Sequence, residues 1–133
     1  DVSKALALGA DAVSIGSAAM IAIGDNDPKW EKEYKKIGTV SGAYDDWHEG
    51  NDPAGISTQD KKLMKRLNPI KAGRKLSNYL KVMTLEAQTI ARACGKNNLH
   101  NLEPEDLCAL TVEAAAMARV PLAGTNWIPG FSK

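Results

Sequence analysis

The sequence predicts an α/β fold in which most of this chain is helical. Residues 1–24 show helix, turn, strand and helix in that order, the half-units of a parallel α/β fold. A long polar segment follows over residues 25–68, and residues 69–133 contain two further helical patterns that would form a helical cap. A length of 133 residues suffices for one modest core, so we expect the three segments to belong to one domain.

The chain begins inside a helical pattern. Asp1 is not an initiator methionine, and apolar residues at Val2, Ala5 and Leu6 already have helical spacing. Such a helix needs a surface to cover, and no residue of this chain precedes it. We therefore expect a truncated, processed or split chain whose domain includes missing upstream residues.

The first segment changes element type several times. A helix is predicted to about Leu8, and Gly9 stands where a helix end favours a left-handed residue. Residues 12–15 are too short and too β-branched for a second helix, which favours a buried parallel strand. Ser17 is then expected to cap an apolar helix over residues 18–23.

The rest of the chain predicts three more helices and one ordered loop. Residues 28–36 have the spacing of a short helix, and residues 38–59 form a loop with enough aromatic and aliphatic side chains to be ordered. The clearest helix covers residues 69–94 and ends at Gly95. A last helix is predicted over residues 104–119, because a proline and three acidic residues mark its start.

Composition and charge exclude several function classes. A net charge of +1 produces no long-range field, so neither nucleic acid nor an anionic membrane is an expected partner, and the basic residues of 61–75 are expected to be solvated. No apolar run approaches the roughly 18 residues of a membrane span, so we expect a cytoplasmic protein. Cys94 and Cys108 fall in helical patterns and are expected to be reduced, buried and unreactive.

The turn formed by Ile15, Gly16 and Ser17 is a candidate anion site. Backbone N–H groups at a helix start point outward with the positive end of the helix dipole behind them, and a glycine lets a phosphate approach closely. The Ser17 hydroxyl can donate a further hydrogen bond. The alternative is a tight strand-to-helix turn with an ordinary cap, and these residues alone leave both interpretations open.

Residues 1–18, DVSKALALGADAVSIGSA, closely resemble the segment that covers the seventh helix and the eighth strand of the FMN-binding barrel of glutamate synthase. The resemblance implies that this chain is the C-terminal fragment of an FMN-binding (β/α)8 barrel, supplying helix 7, strand 8 and helix 8 plus C-terminal helices. It also implies that Gly16 and Ser17 bind the FMN phosphate, at the end of the barrel where such phosphates commonly lie. The same helix–strand pattern occurs in the 2-hydroxy-acid oxidases.

Residues 48–60, HEGNDPAGISTQD, resemble a second and more specific glutamate synthase segment. In that family three cysteines, separated by five and then four residues, bind a [3Fe-4S] cluster. Their positions here hold Ser41, Trp47 and Asp52. Because iron–sulfur clusters require thiolate ligands, we predict that the cluster is absent and that Trp47 fills its space. Residues 25–68 would thus be a long loop that replaces the iron–sulfur loop.

Residues 68–95 and 100–124 also resemble the two helices that close the synthase domain of that family, so the likeness covers almost the whole chain. It implies part of an FMN-dependent oxidoreductase that makes glutamate from 2-oxoglutarate by reductive amination, or performs closely related amino-acid chemistry. The substrate-facing residues would lie on absent strands, so no catalytic residue is assigned. The implied partners are the remainder of the barrel (covalent or a separate chain), a small-molecule substrate and an electron-donor subunit, in an oligomeric assembly.

Two alternatives remain open. The chain could be a non-catalytic helical cap that sets assembly, or part of a 2-hydroxy-acid oxidase-type FMN barrel. Among single residues, His48 is surrounded by carboxylates at Asp45, Asp46, Glu49 and Asp52, but the spacing is not a metal signature, so we expect a loop histidine and no metal site. His100 is expected to serve in local capping or packing.

Overall fold

Helices make up nearly all the regular structure in the part of the chain that is described. The computed structural model describes residues 1–44 and 47–131, and at position 47 it describes the backbone alone. The α-helices in chain order are α1 (Val2–Ala7), α2 (Ser17–Ile23), α3 (Glu31–Lys36), α4 (Lys61–Met64), α5 (Pro69–Ala93) and α6 (Val112–Ala118). Short 3-10 turns occur at Pro28–Trp30, Trp47–Glu49, Leu99–Asn101 and Pro104–Asp106. None of the described helices is both long enough and apolar enough to cross a membrane.

The predictions for α1, α3 and α5 are confirmed. Gly9 follows α1 with a φ of +99°, and Gly95 follows α5 with a φ of +74°, both in the left-handed region that a helix end favours. At the start of α5 the Asn68 side chain accepts a hydrogen bond of 3.0 Å from the Lys71 N–H. The predicted turn-and-helix over residues 28–36 corresponds to the first 3-10 turn and α3.

Residues 12–15 do not form the predicted strand. They lie outside every helix, and the β-type pairing in the described residues is a single parallel bridge between Ala109 and Leu122. A strand needs a neighbouring strand to satisfy its N–H and C=O groups, and the described chain offers none beside this segment. The prediction that the chain itself is mostly α is confirmed.

The helix predicted over residues 104–119 is wrong as one element. Its first turn, Pro104–Asp106, ends at Leu107, whose ψ of 150° is extended. The backbone of Ala109 then receives and donates hydrogen bonds of 2.8 Å, from the Ala123 N–H and to the Pro121 carbonyl. Because this pairing holds the middle of the segment extended, α6 starts only after Thr111.

The described chain divides into two compact units, and α5 contributes residues to each. One unit comprises residues 1–14 and 83–133. One of its clusters packs Leu6 and Ala7 of α1 against Ala91 of α5 and Leu102, with Cys94 half-buried beside them. A second cluster contains Ala109, Ala115 and Val120. Cys108 is exposed, which corrects the expectation that both cysteines are buried, because the segment around it is extended rather than helical.

The other unit comprises residues 15–82 and is built around two tyrosines. Tyr34 of α3 is fully buried, and Tyr44 and Ala54 from the following loop pack against it. The Tyr34 and Tyr44 ring centroids lie 6.3 Å apart, which is within the range of favourable aromatic pairs. The described residues of the loop over 38–59 thus supply part of the core of this unit, and its order stays a prediction.

Candidate functional site

The turn at Gly16 and Ser17 is exposed to solvent. Gly16, with φ −99° and ψ −93°, is the N-cap residue of α2, and its carbonyl accepts hydrogen bonds from Ala19 and Met20. Ser17 is therefore the first helical residue rather than the cap, and its side chain makes no capping hydrogen bond. A Cβ atom built on Gly16 would meet no other atom within 4 Å. Packing in the described chain thus gives no reason for a glycine here.

A buried polar cluster lies in the unit of residues 15–82. The Tyr34 hydroxyl lies 2.9 Å from Asp25 Oδ1 and 3.0 Å from Asp52 Oδ1, and neither carboxyl is exposed by more than 2%. We call Asp25, Tyr34 and Asp52 the buried triad. Buried carboxyl groups are rare unless hydrogen bonds replace the water they lose, so the partners of each oxygen are informative.

Asp52 is surrounded by donors from its own loop. Its Oδ1 accepts a hydrogen bond of 2.9 Å from the Ala54 N–H. Its Oδ2 accepts bonds from the N–H groups of Ile56 at 2.7 Å and Ser57 at 2.9 Å, and a longer one of 3.3 Å from the Ser57 hydroxyl. Donors aimed at both oxygens are typical of an ionised carboxylate.

Asp25 has a different environment. Burial raises the pKa of its carboxyl above the ordinary value, and the neighbouring Asp52 carboxylate raises it further, whereas the contacts with the Tyr34 hydroxyl and the Gly42 backbone oppose the shift. The pKa of the Tyr34 hydroxyl is raised by burial and by its hydrogen bonds to the two carboxyl groups. The buried surroundings therefore favour the protonated forms of Asp25 and Tyr34.

Further contacts fasten the same loop. The Thr58 hydroxyl donates to the Gly50 carbonyl, which ties the two sides of the Asp52 turn together. Arg66 donates to the Pro53 carbonyl at 2.8 Å and to Glu33 of α3 at 2.7 Å, and its guanidinium carbon lies 4.5 Å from the centre of the Trp30 ring. These bonds hold the loop against α3.

Two of the three positions at which the resemblance expects cluster cysteines make other contacts. The Ser41 hydroxyl donates to Glu31 at 3.1 Å, and the oxygens of Asp52 are occupied as described above. The side chain of Trp47 lies outside the described residues, so its predicted space-filling role stays a prediction. The donor set of hydroxyl and carboxylate does not fit an iron–sulfur cluster.

The remaining candidates show no assembled site. His48 is exposed and its Nε2 lies 3.4 Å from Glu49, while Asp45 and Asp46 lie outside the described residues. Within the described part of the chain, no group of three potential metal ligands converges. His100 is exposed, and its backbone N–H donates to Asn98 at 3.0 Å in a local turn.

Comparison with known proteins identifies the family. The family model described as "Conserved region in glutamate synthase" matches residues 1–28 and 43–97, which is more than half of the chain. The chain belongs to the glutamate synthase family. A glutamate synthase large subunit-like protein of Rhizobium meliloti (strain 1021) is 81% identical over 130 residues, covering 98% of this chain and 29% of that protein.

More distant relatives of this glutamate synthase family member are named as glutamate synthases. An archaeal glutamate synthase [NADPH] of Methanocaldococcus jannaschii and an archaeal-type glutamate synthase [NADPH] of Thermotoga maritima are each 37% identical over 102 residues. Each alignment covers 77% of this chain and 17% of the relative. The chain therefore spans less than a third of the length of these relatives. No solved structure matches it.

Sequence reasoning missed the buried triad. Tyr34 lies in residues 29–42, which the family model leaves unmatched, while Asp25 and Asp52 lie in the matched parts. In the sequence patterns, Asp52 stands at a position where the resemblance expects a cysteine, and it is one of several carboxylates in the loop. The one local signal was the order Asp52, Pro53, Ala54, Gly55, which is typical of a turn closed by an aspartate side chain.

Proposed function

We propose that this glutamate synthase family chain is the C-terminal part of an FMN-dependent oxidoreductase that forms glutamate, or a closely related amino acid, by reductive amination. The family match, together with 81% identity over nearly the whole chain, is the observation that carries the proposal. The chain spans 29% of that relative, so the remaining strands of the barrel and the catalytic residues would be supplied by other residues.

The role that we propose for this chain is to hold the FMN phosphate at Gly16 and Ser17. Gly16 and Ser17 are both exposed, and a Cβ built on Gly16 would meet nothing within 4 Å, so the backbone at the start of α2 is open to a ligand. A phosphate would lie close to this backbone, and the exposed Ser17 hydroxyl can donate to it. The bound flavin would supply hydride transfer to the substrate.

Flavin binding by the full-length protein tests this role. Gly16→Asp places a carboxylate where the phosphate would lie, and we expect the FMN affinity to fall at least about tenfold through charge repulsion. Gly73→Asp is the matched control, because a Cβ at Gly73 also meets nothing within 4 Å and its φ is negative as well. Equal FMN affinity in the two variants would leave the phosphate site without support.

We further propose that no [3Fe-4S] cluster binds in residues 38–59. Ser41 and Asp52 offer hard oxygen atoms, and those of Asp52 already accept hydrogen bonds from three backbone N–H groups. Iron and acid-labile sulfide analysis of the purified full-length protein, together with its visible spectrum, tests the point. The expected spectrum is that of flavin alone, and stoichiometric iron and sulfide would refute the proposal.

The proposed partner of this chain is the remainder of the barrel, with an electron-donor subunit and a small-molecule substrate in the complete, oligomeric enzyme. Support comes from α5, whose helical pattern includes Ile70 at 78% exposure and Leu85 at 57%. Apolar side chains left open in this way are typical of surfaces that another part of a protein covers.

A helical cap that only sets assembly is the second candidate, and the same exposed residues favour it. Activity assays discriminate between the candidates. Glutamate formation from 2-oxoglutarate and ammonia supports the synthase proposal, whereas oxidation of lactate indicates 2-hydroxy-acid oxidase chemistry. Full flavin binding and activity in Gly16→Asp would favour the cap.

A further inference from the structure

The hydrogen atoms of the buried triad can be counted. The Tyr34 hydroxyl lies within hydrogen-bond distance of two carboxyl groups, 2.9 Å from Asp25 and 3.0 Å from Asp52. A phenol has one hydrogen, so it donates to only one of them. If both carboxyl groups were ionised, the second contact would bring two oxygens together with no hydrogen between them. A proton on one carboxyl group, donated to the hydroxyl, would satisfy both contacts.

The donors around each carboxyl decide where that proton lies. Asp52 faces three backbone N–H groups, which reach both of its oxygens, so a proton there would displace a donor. Asp25 receives one backbone hydrogen bond, from Gly42, and is almost fully buried. Hydrogen bonds from the backbone thus offset the lost hydration of a charged carboxylate at Asp52, but they do not do so at Asp25.

We propose that Asp25 stays protonated at neutral pH and donates to Tyr34, which donates to ionised Asp52, and that this chain of hydrogen bonds is a pH-sensitive lock holding residues 50–58 against α3. Loss of the Asp25 proton would place two carboxylates on one hydroxyl and open the lock. The groups that act on Asp25 are Tyr34 of α3, Asp52 of the loop and the Gly42 N–H. Arg66, which pairs with Glu33 of α3, contacts the loop at the Pro53 carbonyl.

The direction of the pH effect follows from linkage. The pKa of Asp25 is raised in the folded chain above the ordinary value of 3.8. A raised pKa means that the contribution of this carboxyl to stability is complete below pH 3.8 and is lost as the pH rises through the folded-state pKa. The proposed lock should therefore open as the pH rises through the folded-state pKa of Asp25.

Infrared spectroscopy of the full-length protein detects the proton directly, because a protonated carboxyl group has a C=O stretch distinct from the bands of a carboxylate. We expect a buried carboxylic-acid band in the wild type at pH 7 and its loss in Asp25→Asn. Asp27→Asn is the matched control, since that carboxylate pairs with Lys29 and should leave the band unchanged. Absence of the band from the wild type, or its persistence in Asp25→Asn, would overturn the proposal.

Hydrogen exchange of residues 50–58 tests the lock itself. In Asp25→Asn the amide N–H can replace the proton donor, so we expect opening no faster than in the wild type and insensitive to alkaline pH. In Asp52→Asn one acceptor oxygen becomes a donor facing backbone N–H groups, and opening should accelerate about tenfold or more. Equal acceleration in both variants would contradict the assigned order of donors. This inference does not depend on flavin binding.

Discussion

At the residue scale, Gly55 lies where backbone conformation and packing both exclude a side chain. Its φ is +76°, in the left-handed region, and its N–H donates to the Asp52 carbonyl at 3.0 Å. A Cβ atom would lie 2.2 Å from the carbonyl oxygen of Leu63, which belongs to α4. The turn that supplies donors to Asp52 thus depends on direct contact with the next helix.

Gly55→Ala is expected to destabilise the fold more than Gly50→Ala. Both glycines have positive φ, so each substitution carries the left-handed penalty of about 1–2 kcal/mol. A Cβ at Gly50 meets nothing within 4 Å, whereas a Cβ at Gly55 collides with backbone, which should add about 1–3 kcal/mol. Urea denaturation measures both variants. Equal free energies of unfolding would mean that α4 moves aside without cost.

The sequence singled out Gly16 and Ser17, whose phosphate role stays a prediction, but it did not single out the buried triad, and the reason is distance along the chain. Gly16 and Ser17 are adjacent, so their geometry follows from one local turn, and the resemblance supplied the ligand. Asp25 and Asp52 lie 9 and 18 residues from Tyr34. Only the fold of the intervening loop brings them together, and composition alone favours solvated carboxylates.

At the element scale, α6 shows how a tertiary contact overrides a helical pattern. The alanine-rich residues after Thr111 are helical as expected, and Ala115 is fully buried against Ala109 and Val120. The residues before Thr111 have comparable propensity, yet the bridge to Leu122 holds them extended. Periodicity along the sequence shows which residues are apolar. It does not show which backbone groups will form hydrogen bonds with a segment that is distant in the sequence.

The start of α6 depends on one side chain. Thr111 Oγ1 accepts a hydrogen bond of 3.1 Å from the Ala114 N–H. Thr111→Ala removes this acceptor and should lower the free energy of unfolding by about 1 kcal/mol. Thr111→Ser keeps the hydroxyl and should lie close to the wild type in the same denaturation experiment. If both variants lost the same stability, the methyl group rather than the hydroxyl would be responsible.

At the scale of the whole molecule, the exposed apolar residues of α5 are the main unexplained feature of the chain. The helix was predictable because its period is regular over 25 residues. Its burial was not, since only Ala72, Ala87 and Ala91 are buried along it. Residues 12–15 were predicted to form a strand because they are few and β-branched, and the described chain offers no neighbouring strand to pair with them.

Leu85→Glu in the full-length protein measures whether α5 is covered there. Leu85 is 57% exposed in this chain, so the chain alone predicts a change within about 0.5 kcal/mol. Coverage by the remainder of the barrel would bury the new charge, and we then expect a loss of about 2 kcal/mol or more. Thr89→Glu, one turn along the same helix and also exposed, is the matched control. Equal, small effects would argue against a covering partner at Leu85.

Tyr34 also gives the molecule an internal optical probe. Its hydroxyl has a raised pKa and no exposure to solvent, so it should remain a neutral phenol when the pH passes the usual tyrosine value of about 10. Phenolate absorbs at longer ultraviolet wavelengths than phenol, and subtracting the spectrum of Tyr34→Phe isolates this one ring. Its signal should appear only when the protein unfolds in alkali, so the ultraviolet absorbance of the Tyr34 phenolate would report directly when residues 50–58 are released.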